Sequence, residues 1–191
     1  MTLASRAVLA AITVAFAAAG FAQAPGERLR DSAADSIDFT EKPRDELPLQ
    51  LPAPPKAGDL IEFDPGRPAT LRFYVDPASL SVGTDQIVRF TIVVKGDGGA
   101  SNVSYEAIRC KSRERKVYAY GRADGTWSET RVPQWTAIHG LTTDGYRFVL
   151  FENYFCPSRQ SIASAREGVE ALRRGGHPRA SDLLTTTPMP R

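Results

Sequence analysis

Histidine and cysteine are scarce in this chain, with two of each in 191 residues. That scarcity removes much of the chemistry a small protein can carry. There is no H-E-x-x-H, no C-x-x-C and no calcium-loop spacing, so no protein-built zinc or calcium site is expected, and no cofactor. His177 stands between Gly176 and Pro178 in a tail-like stretch, and His139 sits in "AIHGLTTDG", at a strand end before a loop. A serine–histidine arrangement would have to recruit His139 with distant serines, and the G-x-S-x-G nucleophile elbow is missing. Paired carboxylates could do glycosidase work, but Asp64, Asp76, Asp97, Asp124 and Asp144 each precede Pro or Gly, where turn formation accounts for them. "KGDGG" at 95–99 lacks the G-K-[ST] and the following helix of a phosphate loop. No catalytic residue is assigned, and the expectation is a protein that is not an enzyme.

Charge of one sign is missing too. Lys and Arg number 24 against 22 Asp and Glu, a formal net charge of +2, without the basic excess of a general nucleic-acid binder. After residue 22 there is no long apolar run, so no membrane-spanning segment is expected in the mature chain. The one such run, "AVLAAITVAFAAAGFA" from Ala7 to Ala22, follows Arg6, is Ala-rich and leads into small residues. That is the arrangement of a secretory signal. Cleavage after Ala24 would leave Pro25 first, so cleavage after Ala22, with Gln23 as the first mature residue, is favoured. No cysteine follows the run, which excludes a lipoprotein anchor. The expected location is the periplasm, with envelope association or secretion as alternatives. In an oxidising compartment, two cysteines 46 residues apart read as a disulfide, Cys110–Cys156. Pairing them removes the strongest nucleophile.

What remains divides into three parts after the signal. Residues 23–57 form an acidic tether rich in proline (Pro43, Pro48, Pro52, Pro54, Pro55), which fixes φ and removes backbone donors. The tether reads as an extended spacer, or as a docking segment with Ile37, Phe39 and Leu49–Leu51 as anchors. Residues 176–191 repeat the Gly- and Pro-rich composition and are expected to be a disordered tail. Residues 58–175 are the folded domain. Three Asp-Gly pairs, at 97–98, 124–125 and 144–145, supply the positive φ that tight hairpin turns require. They are expected to join "DQIVRFTIVVK" to "NVSYEAIRC", "KVYAYGR" to "TWSET", and "WTAI" to "YRFVLF". In the first of these, Val88, Phe90, Ile92 and Val94 share one face, while Arg89, Thr91 and Lys95 share a wet one. "DLIEFD" and "ATLRFYVD" add strands ended by Asp-Pro turns. The prediction is mainly β: a curled antiparallel sheet or sandwich of about eight short strands. After Cys156, Ile162, Ala165, Val169 and Leu172 follow helical spacing, with Ser158 as cap and Gly175-Gly176 as terminator. The disulfide would then clamp this helix to the middle of the sheet.

The run "GDLIEFDPGRPATLRFYVDPASLSV", followed by "VSYEAIRC", "VYAYGRADGTWSE", "QWTAI" and "FCP", resembles the CNP-like (cryptic neisserial protein-like) family of exported proteobacterial proteins. The resemblance covers nearly all of residues 58–178. It implies export and a domain boundary, and supplies no site residue. A looser similarity, in the rhythm of Tyr74-Val75-Asp76, Ser79-Leu80 and Ile108-x-Cys110, is to small β-rich surface adhesin domains of the protein E type.

Two features compete for a binding role. "RCKSRERK" places Arg109, Lys111, Arg113 and Arg115 on one side if extended, a cationic patch for anionic headgroups, polysaccharide or an acidic protein face. The same run serves equally as a charged hairpin tip that protects strand edges, and the chain's own acidic tether could cover it. Tyr118, Tyr120, Trp127 and Trp135 offer an aromatic platform, the two tyrosines pointing the same way, or belong to cross-strand pairs of the core. The expected function is a non-catalytic interaction module for an unidentified envelope protein or other envelope component. The alternative is a small-ligand carrier with its pocket between sheet and helix, under Phe148, Phe151 and Val169.

Overall fold

The structure, a computed structural model, describes residues 45–66 and 70–180. The signal, the first part of the tether with Ile37 and Phe39, and residues 181–191 lie outside them. All described residues belong to one compact unit, 43–191.

Seven strands form one open antiparallel sheet: β1 (Ile61–Phe63), β2 (Arg72–Val82), β3 (Ile87–Lys95), β4 (Ser101–Arg109), β5 (Glu114–Gly121), β6 (Trp127–Glu129) and β7 (Thr136–Ala137). Strands β1 to β6 follow one another as a meander, and β7 also pairs with β5. Two of the Asp-Gly pairs make the expected hairpins. Between β3 and β4 the chain turns over Gly96–Ala100, with Gly99 at φ +79°. Between β5 and β6, Gly125 takes φ +82° and Asp124 Oδ1 accepts from the Thr126 amide at 2.9 Å. Asp76-Pro77 does not end a strand. It opens a bulge in β2, where the pairing with β3 slips between Asp76 and Ser81. Ser79 Oγ accepts from the Thr91 amide at 2.7 Å there, replacing the ladder bond that the bulge interrupts.

The third Asp-Gly pair is a correction. No hairpin forms at Asp144-Gly145, and "YRFVLF" is not a strand. Residues Leu141–Asp144 form α1, Tyr146–Val149 form α2, and the chain continues as a π-helical turn over Leu150–Phe155. Gly145, at φ 54° and ψ −125°, is the break between α1 and α2. Asp144 serves the start of α1 instead, accepting from the His139 amide at 2.7 Å. Leu150, Phe151, Tyr154 and Phe155 are all buried, a helical rather than an alternating pattern.

The terminal helix α3 spans Ala165–Arg174 and is capped by Ser164, not Ser158. Ser164 Oγ accepts from the Glu167 amide, and the Glu167 carboxylate reaches back one residue beyond the cap, accepting from the Ala163 amide at 2.6 Å, a variant of the capping box. Ser158 lies in a short 3₁₀ turn at positive φ. Gly175, at φ 77°, ends α3 as expected.

The helical layer packs on one face of the sheet, against Val75, Val88, Phe90, Ile92 and Ile108. The Phe90 and Phe155 rings lie 5.1 Å apart across it. The Cys110–Cys156 disulfide is formed, with α-carbons 5.3 Å apart. It ties the end of β4 to the end of the π-helical turn, so it clamps the helical layer rather than a last strand. Glu106, on the same face of β4, ties α2 down as well: Arg147 Nε and Nη2 each donate to it at 2.7 Å, Tyr146 Oη at 2.9 Å and Ser104 Oγ at 2.7 Å.

Candidate functional site

The second face of the sheet is not wet. Arg89 and Thr91 are both buried in β3. Arg89 makes a two-pronged pair with Asp85, Nη1 to Oδ1 at 3.2 Å and Nη2 to Oδ2 at 2.6 Å. Around it, Ile87, Tyr105, Ala107 and Tyr118 form a small apolar cluster, with Leu51, Trp127 and Trp135 packed against it. The Tyr105 ring lies 5.7 Å from Tyr118 and 6.2 Å from Trp127.

Leu51 comes from the stretch read as tether. Residues 45–55 form no strand or helix, in keeping with their prolines, yet they are fastened to this face. Glu46 is the anchor. Lys116 Nζ donates to its Oε2 at 2.5 Å, Tyr118 Oη to its Oε1 at 2.5 Å, and Trp135 Nε1 to Oε2 at 3.2 Å. One residue on, the Leu47 amide donates to Asp85 Oδ2 at 3.0 Å. Further along, Trp127 Nε1 donates to the Pro52 carbonyl at 2.8 Å. Both tryptophans of the chain therefore spend their only donor on this arm.

The electrostatics follow from these contacts. Burial works against the charged form of Glu46, but the bonds from Lys116, Tyr118 and Trp135 outweigh it and hold the carboxyl below its ordinary range. Asp85 is also held low: burial opposes its charge, and Arg89 with the Leu47 and Ile87 amides prevails. The Tyr118 hydroxyl is pushed up by burial first and then by the bond to Glu46, so it stays a donor.

The expected binding residues do not form one surface. Tyr118 is 2% exposed on the second face, while Tyr120 is 54% exposed on the helical side. They part because β5 carries one extra residue between Val117, opposite Glu106, and Ala119, opposite Tyr105. That bulge at Tyr118 cancels the period-two alternation. The cationic run is divided as well, since the chain turns after Cys110 with Arg113 at φ 57°. Arg109 stays on the second face, its guanidinium 4.1 Å from the centre of the Trp135 ring and 3.3 Å from Glu114. Arg113 and Arg115 go to the helical side, to Glu152 at 3.4 Å and Asp144 at 3.5 Å. Lys111 lies exposed in the turn, where its carbonyl accepts from Arg159 at 3.5 Å. The structure thus gathers Tyr118, Trp127, Trp135 and Arg109, and adds Lys116, Arg89 and Glu46, which the sequence does not mark as part of this surface. The signal for Lys116 was its place one residue beyond the alternating arginines. For Glu46 it was an acidic residue just ahead of regularly spaced leucines.

The histidines lie apart. His139 is exposed. His177 is buried at the end of α3, with Nε2 2.8 Å from Glu167 and Nδ1 accepting from the Arg179 amide at 3.0 Å, so both ring nitrogens are engaged. Phe151 is buried in one core cluster with Leu150, Phe155, Ile162 and Leu172, and Phe148 and Val169 pack against it. A depression of about 400 Å³ lies at the sheet edge, between Glu62–Pro65 and Leu71–Phe73. Among the described residues no cluster of acids, cysteines or histidines could hold a metal, and no helix is long and apolar enough to cross a membrane.

An open antiparallel sheet, sealed on one face by a disulfide-tied helical layer and on the other by an extended arm of the same chain, defines the class of protein. The chain belongs to the CNP1-like family, whose model matches residues 39–173, a span that takes in the arm. No curated protein and no solved structure matches it.

Proposed function

We propose that the protein is an exported component of the cell envelope that works without catalysis, as an interaction module for another envelope component. One observation carries this reading. An aromatic and cationic sheet face is covered by an extended peptide that touches it through two indole donors, a buried lysine and a buried tyrosine. A sheet face that holds one extended segment by side-chain pockets and dispersed hydrogen bonds has the chemistry to hold another. Indole and tyrosine anchors beside an arginine are also the residues that dominate binding energy at protein interfaces. Export rests on the Ala7–Ala22 run, and the disulfide is in keeping with an oxidising compartment.

The test is crosslinking of the tagged chain in intact cells, followed by mass spectrometry of what it captures. The expected result is one recurrent envelope protein joined through Lys111 or Lys56, both exposed. Recovery of the chain alone, at every crosslinker length, would overturn the reading.

A further inference from the structure

Lys116 is a lysine buried in the sheet whose ion-pair partner sits on a separate stretch of chain. Its side chain is 10% exposed, and the carboxylate facing it, Glu46, belongs to the arm. Three donors converge on that carboxylate: Lys116 Nζ, Tyr118 Oη and Trp135 Nε1. All three come from β5 or the approach to β7. A buried ammonium and a buried phenol both require an acceptor, so the fold has built a seat that calls for an anion. The face then sets out what should follow the carboxylate. Asp85 reads a backbone amide one residue on, the cluster of Ile87, Tyr105 and Tyr118 receives an apolar side chain at Leu51, and Trp127 reads the carbonyl of the next residue. The spacing from residue 46 to 52 suits an extended chain about 20 Å long.

We infer that this seat is a recognition site for an extended segment of a partner protein bearing a glutamate ahead of apolar residues and proline, and that residues 45–55 occupy it in cis until such a segment displaces them. The inference rests on the interaction-module reading. Charge complementarity commits the occupant to an acidic segment, because the seat presents Lys116 with Arg109 stacked on the adjoining indole. The cis segment enjoys an effective concentration on the order of millimolar. A partner must therefore add contacts of its own, and weakening the arm must strengthen trans binding.

The test uses the full exported chain, its Glu46→Gln variant, and a labelled peptide, RDELPLQLPAPP, that copies residues 44–55. Binding is read by anisotropy and by tryptophan emission. The expected result is that Glu46→Gln binds this peptide at least tenfold more tightly than the wild type does. A peptide with Gln in place of the glutamate should lose at least tenfold on the same variant. Equal binding by the two proteins, or by the two peptides, overturns the inference. The peptide comparison leaves the protein unaltered, so a folding defect cannot mimic it. A wild-type chain that sediments as a dimer, and as a monomer once Glu46 is replaced, would make the occupant a second copy and overturn the assignment to a partner. Crosslinking separates this from the broader reading. A partner captured equally by wild type and Glu46→Gln leaves the module standing and overturns the seat, whereas no captured partner overturns the module while the peptide result still decides the seat.

Discussion

Replacing Glu106 should loosen the helical layer from the sheet, and the size of the effect can be worked from its surroundings. Glu106 lies opposite Phe90 and Val117 in the middle of the sheet, with its side chain 1% exposed. It accepts two bonds from Arg147 and one each from Tyr146 and Ser104, all between 2.7 and 2.9 Å. Burial alone would lower the pKa of Arg147, but the facing Glu106 carboxylate raises it, so the guanidinium stays charged. Removing one member of a buried pair typically costs about 3–5 kcal/mol, mostly for the charge left behind. Arg147 keeps 22% of its side chain exposed and can recover some water, so Glu106→Leu should fall near the low end, about 3 kcal/mol. Arg147→Met strands the more deeply buried carboxylate and should cost about 4–5 kcal/mol. The double variant leaves two neutral hydroxyls without their acceptor, a loss of about 1–3 kcal/mol each. The two single losses added together should therefore exceed the double by about 1 kcal/mol or more, a coupling above ordinary additivity error. Urea unfolding at pH 7 with the disulfide intact, followed by circular dichroism and tryptophan emission, measures all three. Single losses below about 1 kcal/mol, or a double variant equal to their sum, would refute the reasoning.

Three further outcomes follow from the same structure. Cys110→Ser with Cys156→Ser should cost about 4 kcal/mol, the loop-entropy value for 46 residues; a loss under 1 kcal/mol in urea unfolding would show that the buried core holds the helical layer unaided. Gly168→Ala should not gain the ~1 kcal/mol of helix propensity, because the new methyl would lie 2.6 Å from Ile162 Cδ1 and 2.7 Å from Leu80 Cδ2 inside the core. Overpacking of about 1–3 kcal/mol should win, and a variant more stable than wild type in thermal unfolding would contradict it. Acidification should release the arm. The docked pKa values of Glu46 and Asp85 lie below the free ones, so their contribution is full above the free value near ~4 and disappears as pH falls through the docked values. Tryptophan emission should shift to the red below about pH 4; the shift should shrink in Glu46→Gln, and an identical titration of the two proteins would count against the arm as its source.

Where sequence and structure part, a non-local contact or a bulge decides. The hairpins at 97–98 and 124–125 were legible because glycine there supplies a conformation that few other residues accept, at Gly125 directly after its aspartate and at Gly99 one residue beyond the Asp97-Gly98 pair. Asp144-Gly145 carries the same letters. There Asp144 is drawn to the amides of His139 and Gly140 and to Arg115, and the aromatic run beyond it is buried at helical spacing. A short apolar run of six residues does not by itself distinguish strand from helix. The opposed facing of Tyr118 and Tyr120 depends on one inserted residue, which composition does not mark. The disulfide was legible from the cysteine count and the export expected from the Ala7–Ala22 run. The Glu46 seat was not, since its parts lie 70 to 89 residues apart in sequence. Only the folded sheet brings them together.

The two faces of the sheet are fastened by different kinds of bond, and the proposed exchange suits only one of them. On the helical face the fastening is covalent at Cys110–Cys156, ionic at a carboxylate shut away from water, and apolar through a core that includes Phe90, Phe151 and Phe155. Opening it would cost a large part of the protein's stability. On the second face the arm has no disulfide, and Leu47 and Leu49 remain 41% and 37% exposed. Its hold is a set of hydrogen bonds and one ion pair along an extended segment, most of which another peptide could reproduce. Segments with few buried apolar contacts open at the low end of a protein's free-energy range. Yet the surface they cover here is rigid, built on the central strands and already shaped to receive a carboxylate. A loosely held ligand on a firmly held receptor is the combination that displacement requires, and in this fold it occurs on the face of Lys116, Tyr118, Trp127 and Trp135.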